Sequence, residues 1–275
     1  MKNIQKIQIF LYSFFFLSAF VQGAKVNIAD FLKKEKKLTW TKSAACFQKN
    51  NGSFRLYRWN SSQKQSLHYA ANRKKGIIYF LDWQVVEADF YFKNRQLNKM
   101  SLNLYNKSCP SNSQLAKNKN TFLDFLNSLR QSLNSFSQIK HSKIITKLIG
   151  GARCQSCTWS SPSACIVAKW SYAGSSQNSF VAHYVTLTIY KDKQSFEETS
   201  SSKTPLTDEE LKARVQTNKA GDRYITIPMV DQGKRGYCVV ACAERILKYY
   251  NINIDQHVLA QVANTSNRGT RICST

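Results

Sequence analysis

The residues of this chain best suited to chemistry lie in the segment IPMVDQGKRGYCVVACAERILKYY at 227–250. Cys238 precedes a run of apolar residues with helical spacing, so we predict that it lies in the first turn of a helix. The free N–H groups and the positive end of the helix dipole at such a position favour the thiolate form of a cysteine. A thiolate is a nucleophile, and its chemistry would be attack on the carbon of a carbonyl group.

Gln232 lies six positions before Cys238, in a loop where Gly233 and Gly236 permit tight turns and close backbone approach. Attack on an amide places negative charge on the carbonyl oxygen, which hydrogen-bond donors stabilise. The side-chain amide of Gln232 and the backbone N–H of Cys238 are two such donors. We therefore predict Cys238 and Gln232 as catalytic residues. Cys242, one turn deeper, is predicted to pack in the core.

The helix that follows Cys238 has two faces of different character. Its polar face carries Glu244, Arg245 and Lys248. The residues predicted to share its apolar face are Val239, Val240, Ala243, Ile246, Leu247 and Tyr250.

This segment resembles the papain-like cysteine peptidases, and within them the branch that includes the bacteriocin-leader-processing peptidases. The matching features are the entry at 227–228, Gln232, the glycine before the nucleophile, Cys238 and a helix ending in two tyrosines. DQHVLAQVANTS at 255–266 is similar to the second helix of that branch. The resemblance covers about 50 residues, from 225 to 275. It implies that Cys238 is the nucleophile, that Gln232 helps to form the oxyanion hole, and that the substrate is a peptide or protein. It implies no cofactor and no metal.

A peptidase of this type also needs a histidine to activate the thiol and an Asp or Asn to orient that histidine. In the family both come from a β-rich part well downstream of the nucleophile. Here 37 residues follow Cys238, and the histidine among them, His257, falls on the predicted second helix. We interpret His257 as an exposed or packing residue. The expectation is a truncated peptidase domain with little or no activity. Alternatives are a base supplied by another chain, a relic retained for binding, and a Cys238 that pairs with Cys273 in a disulfide.

The net charge suggests a function of a different class. The chain of 275 residues has 40 Lys plus Arg against 16 Asp plus Glu, for a formal charge of +24. Such an excess attracts anionic polymers without selecting one of them. The lysines are scattered along the chain, which indicates a solvated surface rather than a specific nucleic-acid site. The alternative function is therefore a cationic, non-catalytic envelope or extracellular binding protein.

The first residues predict export. Lys2 and Lys6 precede an apolar run at 9–21 and then small residues at Gly23 and Ala24, the order of a secretory signal peptide at 1–23. The run is shorter than the roughly 20 residues that a membrane span needs, so we expect no membrane span after cleavage. The predicted location is secreted or periplasmic. An oxidising compartment permits disulfides among the eight cysteines, whose pairing the spacing leaves open.

The predicted fold class is α+β. Alternating residues at 76–107 predict a β-hairpin with one buried face, and apolar residues at helical spacing predict a helix at 121–136. A second pair of strands is predicted at 165–172 and 179–191. Together they predict a small antiparallel sheet covered on one face by a helix, followed by the helical half of a papain-like domain.

These elements define the predicted domains. An α+β domain of unknown role at 24–195 is followed by a linker at 196–222 and a partial peptidase domain at 223–275. The linker should carry one short helix, with Thr207 as N-cap and Glu210 three residues later.

Two further patterns in the first domain are interpreted without chemistry. Cys154 and Cys157 form a lone CxxC in a Ser-rich stretch that is predicted to be a loop, so they are taken as structural or incidental. His183 shares an apolar strand face and is predicted to be a hydrogen-bonded core residue. His68 and His141 have no acidic or cysteine neighbours at a useful spacing, so binding or packing is the expected role of this domain.

Overall fold

The computed structural model describes most of the chain from residue 25 onward. The residues described are 25–34, 37–38, 58–59, 66–70, 77–139, 141–149, 151–174, 176–200, 204–230, 232, 236–252, 254–266 and 268–270. The predicted signal peptide at 1–23 and the possible disulfide partner Cys273 lie outside the described residues.

The described strands and helices alternate in a mixed pattern. The strands are β1 (Lys25–Asn27), β2 (Lys33–Lys34), β3 (Lys37–Leu38), β4 (Arg58–Trp59), β5 (Ser66–Ala70), β6 (Ile77–Phe80), β7 (Trp83–Gln84), β8 (Glu87–Lys93), β9 (Gln96–Asn106), β10 (Ile145–Ile149), β11 (Ala152–Ser161), β12 (Ala164–Ala173), β13 (Val181–Tyr190), β14 (Val215–Thr217) and β15 (Arg223–Ile225). The α-helices are α1 (Lys119–Ser137), α2 (Lys193–Ser200), α3 (Asp208–Ala213), α4 (Cys238–Tyr249) and α5 (Gln256–Val262), and 3-10 turns lie at Ile28–Phe31 and Pro110–Ala116.

An eight-stranded sheet forms the centre of the molecule, in the order β10-β11-β12-β13-β9-β8-β5-β4. Neighbouring strands in it pair antiparallel, including the two predicted hairpins β8–β9 and β12–β13. The predicted α+β class is confirmed, although the sheet is larger than predicted. Residues in each strand alternate between its two faces, so the sheet has one apolar face and one polar face.

Helix α1 covers the apolar face. Asn118 caps its N-terminus by accepting a hydrogen bond from the backbone N–H of Thr121, and Gln138 ends it in the left-handed conformation. Its buried residues are Phe122, Phe125, Leu126, Leu129, Leu133 and Phe136. They join strand residues such as Trp159 and Leu187 in one core cluster. Burial of this apolar stripe is the main source of stability on this side of the sheet.

The polar face is also covered, by the C-terminal helices. Asn106 on β9 donates its side-chain amide to the hydroxyl of Tyr237 at 2.9 Å, and Gln261 on α5 donates to the carbonyl of Ile149 at 2.7 Å. Residues 223–275 therefore contact the sheet of the preceding segment. The boundaries at 24–195, 196–222 and 223–275 stay predictions.

Three local predictions are corrected by the structure. The CxxC stretch is not a loop but strand β11, because it pairs with β12 along nine residue pairs. Cys157 is buried in the core with a pKa raised by burial to about 12, whereas Cys154 lies near Ser171 and Gln261. The linker contains the predicted capped helix α3, but also helix α2 and the hairpin β14–β15.

The third correction concerns α4. Val239, Ile246 and Tyr250 of its predicted apolar face are exposed, and the buried residues of the helix are Val240, Ala241, Glu244 and Tyr249. The helix is rotated because Val240 packs with Tyr237 and Ala260, which turns Glu244 inward.

The helices in the described part of the chain include none that is long and apolar enough to cross a membrane.

Candidate functional site

Cys238 lies where the sequence predicted it, at the first residue of α4. The side chain is exposed, and the thiol is free of any disulfide. No side chain caps this end of the helix, because the preceding N-cap residue, Tyr237, makes no capping hydrogen bond. The backbone N–H groups of the first turn are therefore not capped by the N-cap side chain. An accessible sulfur beside these donors is the arrangement that nucleophilic attack requires.

Two neighbouring residues hold the start of the helix in place. The ring of Tyr237 is buried, and its hydroxyl accepts the hydrogen bond from Asn106. Gly236 lies against the backbone of Gly269, so closely that a Cβ on Gly236 would be 2.4 Å from the backbone nitrogen of Gly269. Glycine is required here for close backbone approach, as the sequence predicted. The position of Cys238 is thus set by contacts on both sides of the chain.

Gln232 is exposed in the segment that leads to α4. In the part of the chain that the structure describes, it makes no hydrogen bond to Cys238. Its role as a second oxyanion donor stays a prediction.

His257 is the histidine that follows Cys238 in the chain, and it lies on α5. Its side chain is buried, with Nδ1 3.2 Å from the amide nitrogen of Asn106 and its ring 5.8 Å from that of Tyr237. The structure therefore places His257 in the packing between α5 and the sheet. Among the described contacts, neither His257 nor another histidine is joined to Cys238.

Cys242 was predicted to pack in the core, but it is exposed on α4. The rotation of the helix that buries Glu244 also turns this thiol outward. Cys238 and Cys242 are thus two accessible cysteines on one helix, in its first and second turns.

A polar cleft of about 730 Å³ separates the sheet from the C-terminal helices. Its floor is the polar face of strands β5, β8, β9, β13, β12 and β10. Its roof is formed by α4, the start of α5 and the residues Met229 and Val230. Cys238 and Gln232 do not line it, so the cleft and the thiol are separate features.

Acidic residues and a histidine cluster on the β5–β8 side of the cleft. His68 Nδ1 lies 2.8 Å from a carboxylate oxygen of Asp89, and Nε2 lies 3.4 Å from Glu87. The prediction that His68 has no acidic companions is wrong. Strand β5 pairs with β8 so that His68 stands opposite Asp89, although the two are 21 positions apart. In the described part of the chain, no three side chains form a set of metal ligands.

Lysines occupy the middle and the opposite side of the floor. The ammonium group of Lys99 lies 4.4 Å from the centre of the Tyr91 ring, and burial lowers its pKa. Lys169 on β12 and Lys147 on β10 complete the set. None of these three ammonium groups lies within ion-pair distance of a carboxylate among the described residues.

Two carboxyl groups of the roof have pKa values shifted in opposite directions. Glu244 is 6% exposed, and burial raises its pKa although Lys248 binds one of its oxygens at 2.7 Å. Burial also opposes ionisation of Asp255, but the charges of His257 and Lys169 outweigh it and lower the pKa. Asp255 in turn caps α5 through the backbone N–H of His257.

The cleft residues were missed because each strand was interpreted alone. The alternation of β8 did place Glu87, Asp89 and Tyr91 on one face, and that alternation is the signal that could have found the site. What was missing was the pairing of β5 with β8 and the placement of α4 and α5 over the polar face.

The comparisons with known proteins add no relative. No protein-family model, curated protein or solved structure matches the chain.

Proposed function

We propose that this protein carries the nucleophile-bearing part of a papain-like cysteine peptidase centre, in an exported chain. The observation that supports the proposal is the position of Cys238: an exposed, unpaired thiol at the first residue of a 12-residue helix. The resemblance of 225–275 to the helical part of these peptidases supports the same assignment. The exported location rests on the signal-peptide pattern at 1–23.

The proposed reaction is the hydrolysis of a peptide bond. The sulfur of Cys238 forms a bond to the carbonyl carbon, and the electron pair of the C=O bond moves to the oxygen. The backbone N–H of Cys238 and the amide of Gln232 would stabilise that oxygen. Collapse expels the amine, which takes up a proton, and water then releases the acyl group from the sulfur. Both proton transfers need an acid–base group, and none of the described histidines contacts the thiol.

The proposal therefore predicts a reactive nucleophile without efficient turnover in the chain as given. Iodoacetamide should alkylate Cys238 at least five times faster than Cys242, because the favourable field of a helix N-terminus fades beyond the first turn. Mass spectrometry of the native protein, with Cys242→Ala and Cys238→Ala as matched variants, measures the two rates. Equal rates would remove the basis for Cys238 as a nucleophile.

Turnover is the second measurement. A pool of generic peptides should be hydrolysed no faster by the wild-type chain than by Cys238→Ala. Activity that disappears in Cys238→Ala would show that a base does reach the thiol, and would overturn the expectation of an inactive chain.

A second candidate function follows from the net charge of +24. We propose it as the alternative: a cationic protein of the envelope or extracellular space that binds anionic polymers. Retention on a polyanion matrix should then fall steeply with salt and be the same in Cys238→Ala. Retention that persists in high salt would argue against it.

A further inference from the structure

The cleft between the sheet and the C-terminal helices has a charge balance unlike that of the whole chain. Its lining contains four lysines and four carboxylates, whereas the chain has 40 Lys plus Arg against 16 Asp plus Glu. A site for a polyanion would be lined by an excess of positive charge. A site with equal numbers of both charges suits a ligand that also carries both.

The negative groups of the cleft retain capacity for a donor. Oε1 of Glu244 accepts from Lys248, and the backbone N–H of Gln256 lies beside the carboxyl group. Oε2 of Glu244 is buried and has no hydrogen-bond partner among the described residues. A buried carboxylate oxygen without a donor is costly, and an ammonium group entering the cleft would satisfy it.

The positive groups retain capacity as well. Lys99 has the Tyr91 ring beneath its ammonium group, and Lys169 is exposed on the floor. Neither forms an ion pair within the described residues. Both could bind a carboxylate without first breaking a salt bridge.

The residues between these charges suit a backbone of amides. Ser101, Asn103, Thr186 and Thr188 line the central strands β9 and β13. Their hydroxyl and amide groups both donate and accept hydrogen bonds, as peptide N–H and C=O groups require. From β8 to β12 the floor spans three strand spacings, about 14 Å at roughly 4.8 Å each. An extended chain of about four residues covers that length.

We propose that this cleft binds a short linear peptide of about four residues with free termini. Its ammonium group would lie at Glu244 on the roof, and its carboxylate at Lys99 and Lys169 on the floor. The volume of about 730 Å³ falls within the range of small-ligand pockets. The site is independent of the proposed peptidase centre, because Cys238 does not line it.

Calorimetric titration of the full chain with tetraalanine tests the proposal. Tetraalanine with free termini should bind, and N-acetylation or C-amidation should each weaken binding at least fivefold. Equal binding of the free and doubly blocked peptides would overturn the proposal, as would absence of heat at millimolar peptide. Displacement of the peptide by a sulfated polysaccharide would assign the cleft to the cationic surface instead, and would also overturn it.

Matched variants locate the two termini. Glu244→Gln should bind free and N-acetylated tetraalanine equally, whereas Glu209→Gln, an exposed carboxylate on α3, should behave as wild type. Lys169→Met should lose at least threefold of the preference for a free carboxylate, and Lys212→Met on α3 should not. Circular dichroism confirms that each variant is folded. Parallel effects in the control variants would show that general charge, and not the cleft, determines binding. Cys238→Ala should leave every affinity unchanged, which separates this test from that of the peptidase centre.

Discussion

The two faces of the central sheet are built from the same strands but are covered in different ways. On the apolar face, α1 excludes water with six buried side chains, and the contacts are almost all between hydrocarbon groups. On the polar face, α4 and α5 leave a cleft whose lining is charged and hydroxylated. The first face stabilises the fold, and the second retains polar groups with capacity for a ligand.

This difference shows what an alternating strand pattern can establish. Alternation identifies the apolar face, and that face must be covered by something. It does not establish whether the opposite, polar face meets bulk water or the wall of a site. In this chain the polar face is covered by helices that lie about 130 residues further along the chain, as the hydrogen bond between Asn106 and Tyr237 shows.

The largest expected effect tests the apolar face. Phe122 of α1 is fully buried and packs edge-on or tilted against Tyr105, Phe125, Tyr172 and Phe180. Phe122→Ala should lower the free energy of unfolding by about 3–5 kcal/mol, because it removes these contacts and leaves a cavity. Urea denaturation under reducing conditions measures the loss.

The matched variant on the polar face is Tyr91→Ala. Tyr91 is 38% exposed at the cleft and interacts with Lys99, so its truncation should cost only about 1 kcal/mol. Equal losses in the two variants would contradict the division of the sheet into a stabilising face and a binding face.

The next prediction concerns a titratable group on strand β13. By alternation His183 shares the side of Val185 and Leu187, and its two ring nitrogens have no hydrogen-bond partner among the described residues. Burial and the nearby charge of Lys107 lower its pKa to about 4. The unfolded chain binds this proton near pH 6.5, so stability is full above that pH and is lost as pH falls towards 4.

Between pH 7.5 and 4.5 the contribution of His183 to this loss should be about 2–3 kcal/mol. His183→Leu should remove that part of the pH dependence, which is obtained by subtracting the unfolding curves of the variant from those of the wild type. His141→Leu, at an exposed ring, is the control and should leave the dependence unchanged. A wild-type slope that persists in His183→Leu would place the buried titration elsewhere.

The sequence predicted those parts of the molecule that depend on local pattern. The hairpins β8–β9 and β12–β13, helix α1 and the cap of α3 by Thr207 all follow from period and spacing within short segments. Strand β11 was missed because Ser and Cys are weak strand signals, and its pairing with β12 overrides local preference. The prediction that His183 is hydrogen-bonded is not met by its side chain within the described residues, because its apolar side of the strand offers no partner.

The candidate site divides in the same way. The exposure of Cys238 at a helix start could be predicted, because the glycine before it and the helical spacing after it lie within one segment. The cluster of His68 with Glu87 and Asp89 could not, because it depends on strand pairing. The inward position of Glu244 depends on which face of α4 meets Tyr237 and Ala260, and an amphipathic pattern alone suggested the reverse.

The smallest expected effects test that rotation of α4 with two identical substitutions. Val240 is 2% exposed and packs with Tyr237 and Ala260, whereas its neighbour Val239 is 43% exposed. Val240→Ala should cost about 2 kcal/mol of unfolding free energy, since it removes two buried methyl groups and leaves a small cavity. Val239→Ala should change stability by less than about 0.5 kcal/mol. The sequence pattern placed both valines on one apolar face, so equal losses would restore that face and move Glu244 away from the cleft. Unequal losses would fix the roof of the cleft as described, because the same rotation that buries Val240 directs Glu244 towards the sheet.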